Sequence, residues 1–162
     1  MATLILGQSK LGKAVFANKN FKAGEVIIEF KGQPMKRKEL PELITPEDDR
    51  YIQVDKDRYL GPSGDFDDLF NHSCNPNSGI KIIGKRVILI AIKDIKKGEE
   101  ITWDYSTTMD EDKWEMDCVC QSKNCRKRIK DFKYLPKEIQ QKYIKLGIVP
   151  DYILENLKRN PE

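Results

Sequence analysis

At 162 residues, with 39% hydrophobic and 34% charged side chains, the chain is long enough for one domain with a real core and too short for two comfortable ones. No stretch approaches the roughly twenty apolar residues a bilayer needs, so a membrane span is excluded as an expectation. The net charge of +3 decides little about partners, because a mildly basic balance is common.

The first two-thirds of the chain read as short β segments: Thr3 to Leu6, Ala14 to Ala17, Val26 to Phe30, Tyr51 to Val54, Gly79 to Ile83 and Val87 to Ile92. Gly, Pro, Asn and Asp punctuate them closely, which predicts small antiparallel sheets with no βαβ repeat. Two stretches echo each other, Phe21 to Ile27 and Ile95 to Ile101, each reading as a glycine turn that feeds a strand. Shared turn chemistry explains such a short echo without a duplication. Beyond Tyr134 the period becomes helical. Pro136 suits a first helical position, Ile139, Tyr143 and Leu146 share a face, and Gly147 suits the stop. A second helix from Pro150 carries Ile153, Leu154 and Leu157. These helices are expected to pack on the β-domain, with a wall of a substrate groove as the other possibility.

Charge is unevenly placed. Acidic residues gather at Glu47 to Asp49, at Asp65, Asp67 and Asp68, and between Asp110 and Asp117, whereas Arg126, Lys127, Arg128 and Lys130 follow the last cysteine. Each run reads as a solvated face or as part of an interface, the acidic ones with a basic peptide and the basic one with nucleic acid or an import receptor.

All four cysteines fall in two places, Cys74 and the C-x-C-x4-C cluster of Cys118, Cys120 and Cys125. Four thiolates complete a tetrahedral zinc shell with no open position, which is a structural site. Two disulfides would need an oxidising compartment and usually a small secreted scaffold, so zinc is favoured over them; free structural thiols are the remaining alternative. The N-terminus lacks an apolar segment followed by a cleavage site, and the expected location is intracellular, cytoplasmic or nuclear.

Three motifs in order carry a resemblance. Asn71-His72-Ser73-Cys74-Asn75-Pro76-Asn77 matches N-H-S-C-x-P-N, Gly98 to Tyr105 resembles G-E-E-L-T-[FY]-D-Y, and Cys118 to Ile129 is similar to C-x-C-x4-C-R-G-x-[LI]. Together they resemble the SET-domain protein lysine methyltransferases with a post-SET zinc-binding tail, over about Gly7 to Ile129. The resemblance implies a mainly β SET-type fold of small antiparallel sheets with C-terminal helices and a knot-like crossing of the first two motifs. It divides the chain into a SET domain at 1–112, a post-SET tail at 113–133 and a helical extension at 134–162.

It also implies site residues. S-adenosylmethionine would be held by Lys10, Leu11, Gly12, Lys13 and Ala14, by Tyr51, Asn71, His72 and Tyr105, and under an apolar cover at Ile129. Tyr105 is the residue expected at the reacting atoms, with Tyr51, Trp103 and Phe30 lining a lysine channel. Cys74, Cys118, Cys120 and Cys125 would bind one structural zinc. Ala14 stands where the family has glycine, Asp68 where it often has arginine, and Phe30 where it commonly has tyrosine. Trp103 takes a phenylalanine or tyrosine position that helps set the number of methyl groups, and Gln121 and Lys127 replace common glycines.

The activity so implied is methylation of lysine in histones or other basic proteins, so the expected partner is a basic protein or peptide, with direct nucleic-acid binding open, no membrane, and no feature that sets an oligomeric state. A non-catalytic peptide-binding scaffold that keeps the fold and zinc is the main alternative. A zinc-stabilised nucleic-acid binder using the basic tail is a further one.

Overall fold

A computed structural model describes residues 2–42, 50–112 and 114–159; the acidic run at 47–49 lies outside them. Twelve short strands and two helices are present among these residues. The strands β1 (Leu4–Ser9) and β2 (Gly12–Ala17) form an antiparallel hairpin. The strands β3 (Val26–Glu29), β8 (Ser78–Ile83) and β9 (Arg86–Ala91) form one three-stranded antiparallel sheet in the order β3-β9-β8. A second, in the order β4-β6-β5, is built from β4 (Pro34–Lys36), β5 (Ile52–Asp55) and β6 (Arg58–Leu60). The predicted small antiparallel sheets and the two C-terminal helices are therefore as expected.

Strand β9 organises the interior. Its side chains alternate, as strand geometry requires: Val87, Leu89 and Ala91 join a core with Val15, Phe21, Ile80 and Ile101, whereas Ile88 and Ile90 join another with residues of the C-terminal helices. An apolar run buried on both faces is the signature of a central strand, and here each face has its own core.

The helices α1 (Lys137–Leu146) and α2 (Asp151–Arg159) supply that second core through Tyr143, Ile148, Tyr152 and Ile153. Gly147 ends α1 in the left-handed region at φ 65°, at the predicted stop. The helices dock closely because β8 offers Gly79 at the contact: a Cβ there would sit 2.7 Å from side-chain atoms of Ile148. Tyr152 completes the dock by donating its hydroxyl to the carbonyls of Gln53, at 3.0 Å, and Thr108, at 2.5 Å. No residue of α1 or α2 lines the cleft described below, so of the two expected roles for the helices the packing role is the one observed.

The echoed stretches turn out to be partners. Phe21 and Ile95 exchange both backbone hydrogen bonds, at 2.8 and 2.9 Å. Gly24 and Gly98 take φ 88° and 90°, and in each turn the glutamate after the glycine accepts from the backbone N–H three residues earlier, Glu25 from Lys22 and Glu99 from Lys96. The same local chemistry makes both turns.

The predicted crossing of the first two motifs takes the form of a parallel pair, β7 (Asn71–His72) with β10 (Thr102–Trp103). Asn77 locks it. Its side-chain amide donates to Glu100 O at 2.8 Å and accepts from Thr102 N at 2.9 Å, acting as a surrogate peptide group where the strands are too short to hold themselves. No helix among the described residues is long and apolar enough to cross a membrane.

Candidate active site

A cleft of about 1000 Å³ opens beside the parallel pair. Its wall includes Lys10, Leu11 and Lys13 of the first hairpin, Tyr51, Asn71 and His72, and Trp103 and Tyr105. Asn71 lies 58 positions beyond Lys13, yet its amide bridges the gap, donating to Lys13 O at 3.2 Å and to Glu100 Oε1 at 2.9 Å.

Tyr105 is held at three points. Its hydroxyl donates to Phe70 O at 2.7 Å, its backbone N–H donates to His72 Nδ1 at 3.2 Å, and its ring lies 4.8 Å from that of Trp103 and 5.3 Å from that of His72. The ring is therefore fixed by packing and the oxygen by a carbonyl, which leaves the phenol oxygen placed at the cleft wall.

Several expected residues lie elsewhere. Phe30 does not line the cleft: it is 8% exposed and packs in the β-side core, 6.2 Å from Phe70, because a ring without a hydroxyl gains most by full burial. Phe70, one ring nearer the opening, lines the wall in its place. Ala14 is fully buried in β2 and its φ is not positive, so the strand has no need of glycine there. Gly12 lies at the start of the same strand and does not line the cleft. Ile129 is fully buried beside Cys74 and Cys118. Asp68 lines the cleft, but its carboxylate accepts from the backbone N–H groups of Ser63 and Gly64, so its charge is spent on a loop.

The cysteines gather in one place. Cys118 Sγ lies 3.8 Å from Cys74 Sγ and 3.6 Å from Cys125 Sγ, and Cys120 Sγ accepts from Cys74 N at 3.5 Å. Ligand atoms of His72, Cys74, Cys118 and Cys120 all lie within 4.8 Å of one another, a group that could hold a metal, and Cys125 adjoins it at Cys118. Zinc–sulfur bonds of about 2.3 Å in a tetrahedron put the sulfurs about 3.8 Å apart, which the two sulfur–sulfur distances match. The same distances are far beyond the ~2.05 Å of a disulfide. Burial pushes the Cys74 thiol up to about 11; at Cys120 burial pulls the same way, but hydrogen bonds led by the one from Cys74 N hold it at about 6. His72 Nε2 also lies in this group, 3.3 Å from Cys74 Sγ, and burial brings this imidazole down to about 4 against the pull of Asp104.

The cluster draws the tail over the cleft. Strands β11 (Glu115–Asp117) and β12 (Arg128–Lys130) pair antiparallel, and residues from Trp114 to Cys120 form one cleft wall. Gln121 and Lys127 sit at φ 58° and 65°, so their backbone has the shape that glycine favours, and the side chains cost strain of about 1 kcal/mol each. Lys127→Gly is accordingly expected to stabilise the protein by roughly 0.5–1 kcal/mol, read as a raised midpoint in thermal unfolding.

Three of the four basic residues after the last cysteine, Arg126, Arg128 and Lys130, are paired with carboxylates, whereas Lys127 is exposed. Arg126 is a bidentate partner of Asp104, at 2.8 and 2.7 Å, and Asp104 is 1% exposed. Tyr143 of α1 donates to the same carboxylate at 3.0 Å, and burial together with Asp104 pushes its phenol well above the ordinary range. Arg128 pairs with Glu115 and Asp117 across the tail hairpin. The acidic run is similarly used: Glu111 accepts from the Tyr59 hydroxyl, Asp110 from Asn156, and Asp112 pairs with Lys133. Of these, Asp104 lay within a quoted motif and Arg126 directly followed Cys125, but neither pattern names its partner; Tyr143 carried no functional signal beyond a place on an apolar helix face.

Comparison with known proteins agrees with this geometry. A family model described as "SET domain" matches residues 12–106. A Plasmodium falciparum relative, "Variant-silencing SET domain-containing protein", is 35% identical over 132 residues, covering 72% of this chain and 5% of its own length. The Caenorhabditis elegans "Histone-lysine N-methyltransferase set-2" is 32% identical over 127 residues, 71% of this chain and 8% of that protein. The chain thus spans under a tenth of the length of these relatives. Among solved structures, KRYPTONITE in complex with mCHG DNA and SAH superposes with a TM-score of 0.62 at 26% identity, over 77% of this chain and 28% of that one. Its complex with mCHH DNA, an H3(1-15) peptide and SAH gives a TM-score of 0.62 at 25% identity, over 77% and 29%.

Proposed function

The chain belongs to the SET-domain family, and we propose that it is a protein-lysine N-methyltransferase that uses S-adenosylmethionine and acts on histones or other basic proteins. The observation that carries the reading is the convergence of Asn71 and His72 of β7 with Tyr105, just past its partner strand β10, on one cleft. On this reading residues 1–112 are the SET domain, 113–133 the zinc-binding tail, and 134–162 an extension that braces both. A substrate of this class would place the enzyme in the nucleus or cytoplasm.

S-adenosylmethionine, when bound, supplies the methyl group on a sulfonium. Its site would be the hairpin turn at Lys10 to Lys13 together with Asn71 and His72, and the cleft, at the upper end of the ~300–1,000 Å³ usual for ligand pockets, has room for donor and lysine together. Methyl transfer to an amine is an in-line displacement, so what the protein must supply is alignment. Tyr105 is suited to this, because its oxygen is anchored by Phe70 O and can accept weak C–H contacts while orienting the amine. Trp103, 5% exposed and packed on Tyr105, closes the space beside it.

The attacking lysine must be neutral, and an unperturbed one is so only about once in 2,500 at pH 7. A channel walled by Tyr51, Phe70, Trp103 and Tyr105 disfavours the ammonium by desolvation, so no dedicated base is needed. The preference for basic segments is supported by the lining among the described residues: six carboxylates (Glu42, Asp67, Asp68, Glu111, Glu115, Asp117) against three cations (Lys10, Lys13, Arg50).

The test is incubation with methyl-labelled S-adenosylmethionine and either core histones or a whole-cell extract, followed by mass spectrometry. Label on lysine is expected, and is expected to depend on the chain. Absence of transfer to either, with cofactor bound, would favour the scaffold reading.

A further inference from the structure

His72, Cys74, Cys118 and Cys120 present ligand atoms that all lie within 4.8 Å of one another, and Cys125 Sγ lies 3.6 Å from Cys118 Sγ, so the fourth ligand beside the three cysteines is either His72, already within the group, or Cys125, next to it. The imidazole itself decides between them. His72 Nδ1 accepts the backbone N–H of Tyr105 at 3.2 Å, and a ring nitrogen that accepts carries no proton. The ring's single proton is then on Nε2, which faces Cys74 Sγ at 3.3 Å. A protonated nitrogen cannot ligate, and ligation through Nε2 with Nδ1 still accepting would demand an imidazolate. Asp104 Oδ1, at 3.6 Å from Nδ1, is beyond hydrogen-bond reach, and its carboxylate is met by Arg126, Ser106 N and Tyr143.

We propose that His72 is not a ligand of the four-cysteine shell in the reading above but a positioning residue that donates Nε2–H to the Cys74 sulfur, so that the imidazole ties that shell to the backbone of Tyr105. The inference rests on the metal-binding part of the reading above and not on methyl transfer. Its consequence is mechanical: two hydrogen bonds through a 5%-exposed ring connect the sulfur cluster to the residue placed at the reacting atoms. A donor to a metal thiolate also withdraws charge from the sulfur, as outer hydrogen bonds do at such sites.

Cobalt(II) in place of zinc in the full chain makes both claims visible. The sulfur-to-cobalt charge-transfer band reports the number of thiolates by its intensity and their hydrogen bonding by its energy. His72→Asn leaves an oxygen where Nδ1 was but removes the donor to sulfur; it is expected to keep about one metal per chain and full intensity, with the band moved to longer wavelength. His72→Gln, whose Nε2 can still reach the sulfur, is expected to keep the wild-type wavelength. Cys125→Ser is expected to lose about a quarter of the intensity, one thiolate of four. The opposite pattern, with Cys125→Ser unchanged and His72→Asn losing the metal, would overturn the assignment and make His72 a ligand. A wild-type chain that takes up no cobalt or zinc would remove the shell altogether, an outcome separate from the labelling experiment, which reads methyl transfer alone.

Discussion

Tyr105→Phe is expected to lower methyl transfer by about 10²-fold or more while S-adenosylhomocysteine still binds and the protein still folds. The ring is held by Trp103 and His72, contacts that phenylalanine keeps, so only the oxygen is lost. The hydrogen bond from that oxygen to Phe70 O contributes about 1 kcal/mol to stability. A tyrosine serving packing alone would thus cost a small shift in unfolding midpoint and no rate. A hundredfold loss in rate corresponds to about 2.7 kcal/mol of alignment, well above that structural share. Single-turnover transfer from labelled cofactor, measured beside calorimetric binding, separates the two. Unchanged transfer by the phenylalanine variant would remove Tyr105 from the chemistry.

Arg126→Met should destabilise the protein by about 3–5 kcal/mol, because it removes the charge partner of the Asp104 carboxylate in a dry interior. For a chain of this size each kcal/mol lowers the unfolding midpoint by about 2–4 °C, so a fall well above 5 °C is expected. Arg126→Lys should recover only part of it, since an ammonium cannot reproduce the two-pronged contact. Tyr143→Phe removes one neutral donor from the same carboxylate and should cost only about 1 kcal/mol. A midpoint for Arg126→Met within a degree of wild type would mean that the ion pair is not made in solution. The pair matters beyond stability: Asp104 precedes Tyr105, Arg126 follows the last cysteine, and the Arg126 N–H donates to Cys74 Sγ at 3.4 Å, so one contact joins the tail, the sulfur cluster and the cleft wall.

Periodicity and punctuation were enough to place β2, β3, β8, β9 and both helices, because each buries a recurring apolar face. The strands β4, β6, β7, β10, β11 and β12 are two or three residues long and carry no such period. They exist because a partner strand offers backbone hydrogen bonds, which is a property of the assembled chain. The departures from the family's residues divide in the same way. Lys127 and Gln121 replace glycines yet keep the glycine backbone, at a cost in strain, while Phe30 gives up its place at the wall to Phe70.

What the amino-acid order determined alone was the β-rich class, the helical tail with its stop at Gly147, the set of four cysteines and the motifs that meet at the cleft, since all of these are written in residue type and spacing. Folding decided the rest: that Arg126 serves as a buried clamp on Asp104 and not as a basic surface, that Tyr143 reaches that clamp from a helix, and which way the His72 proton points. Charge and tautomer are settled by the nearest partner in space, and here those partners lie two to four dozen residues apart along the chain.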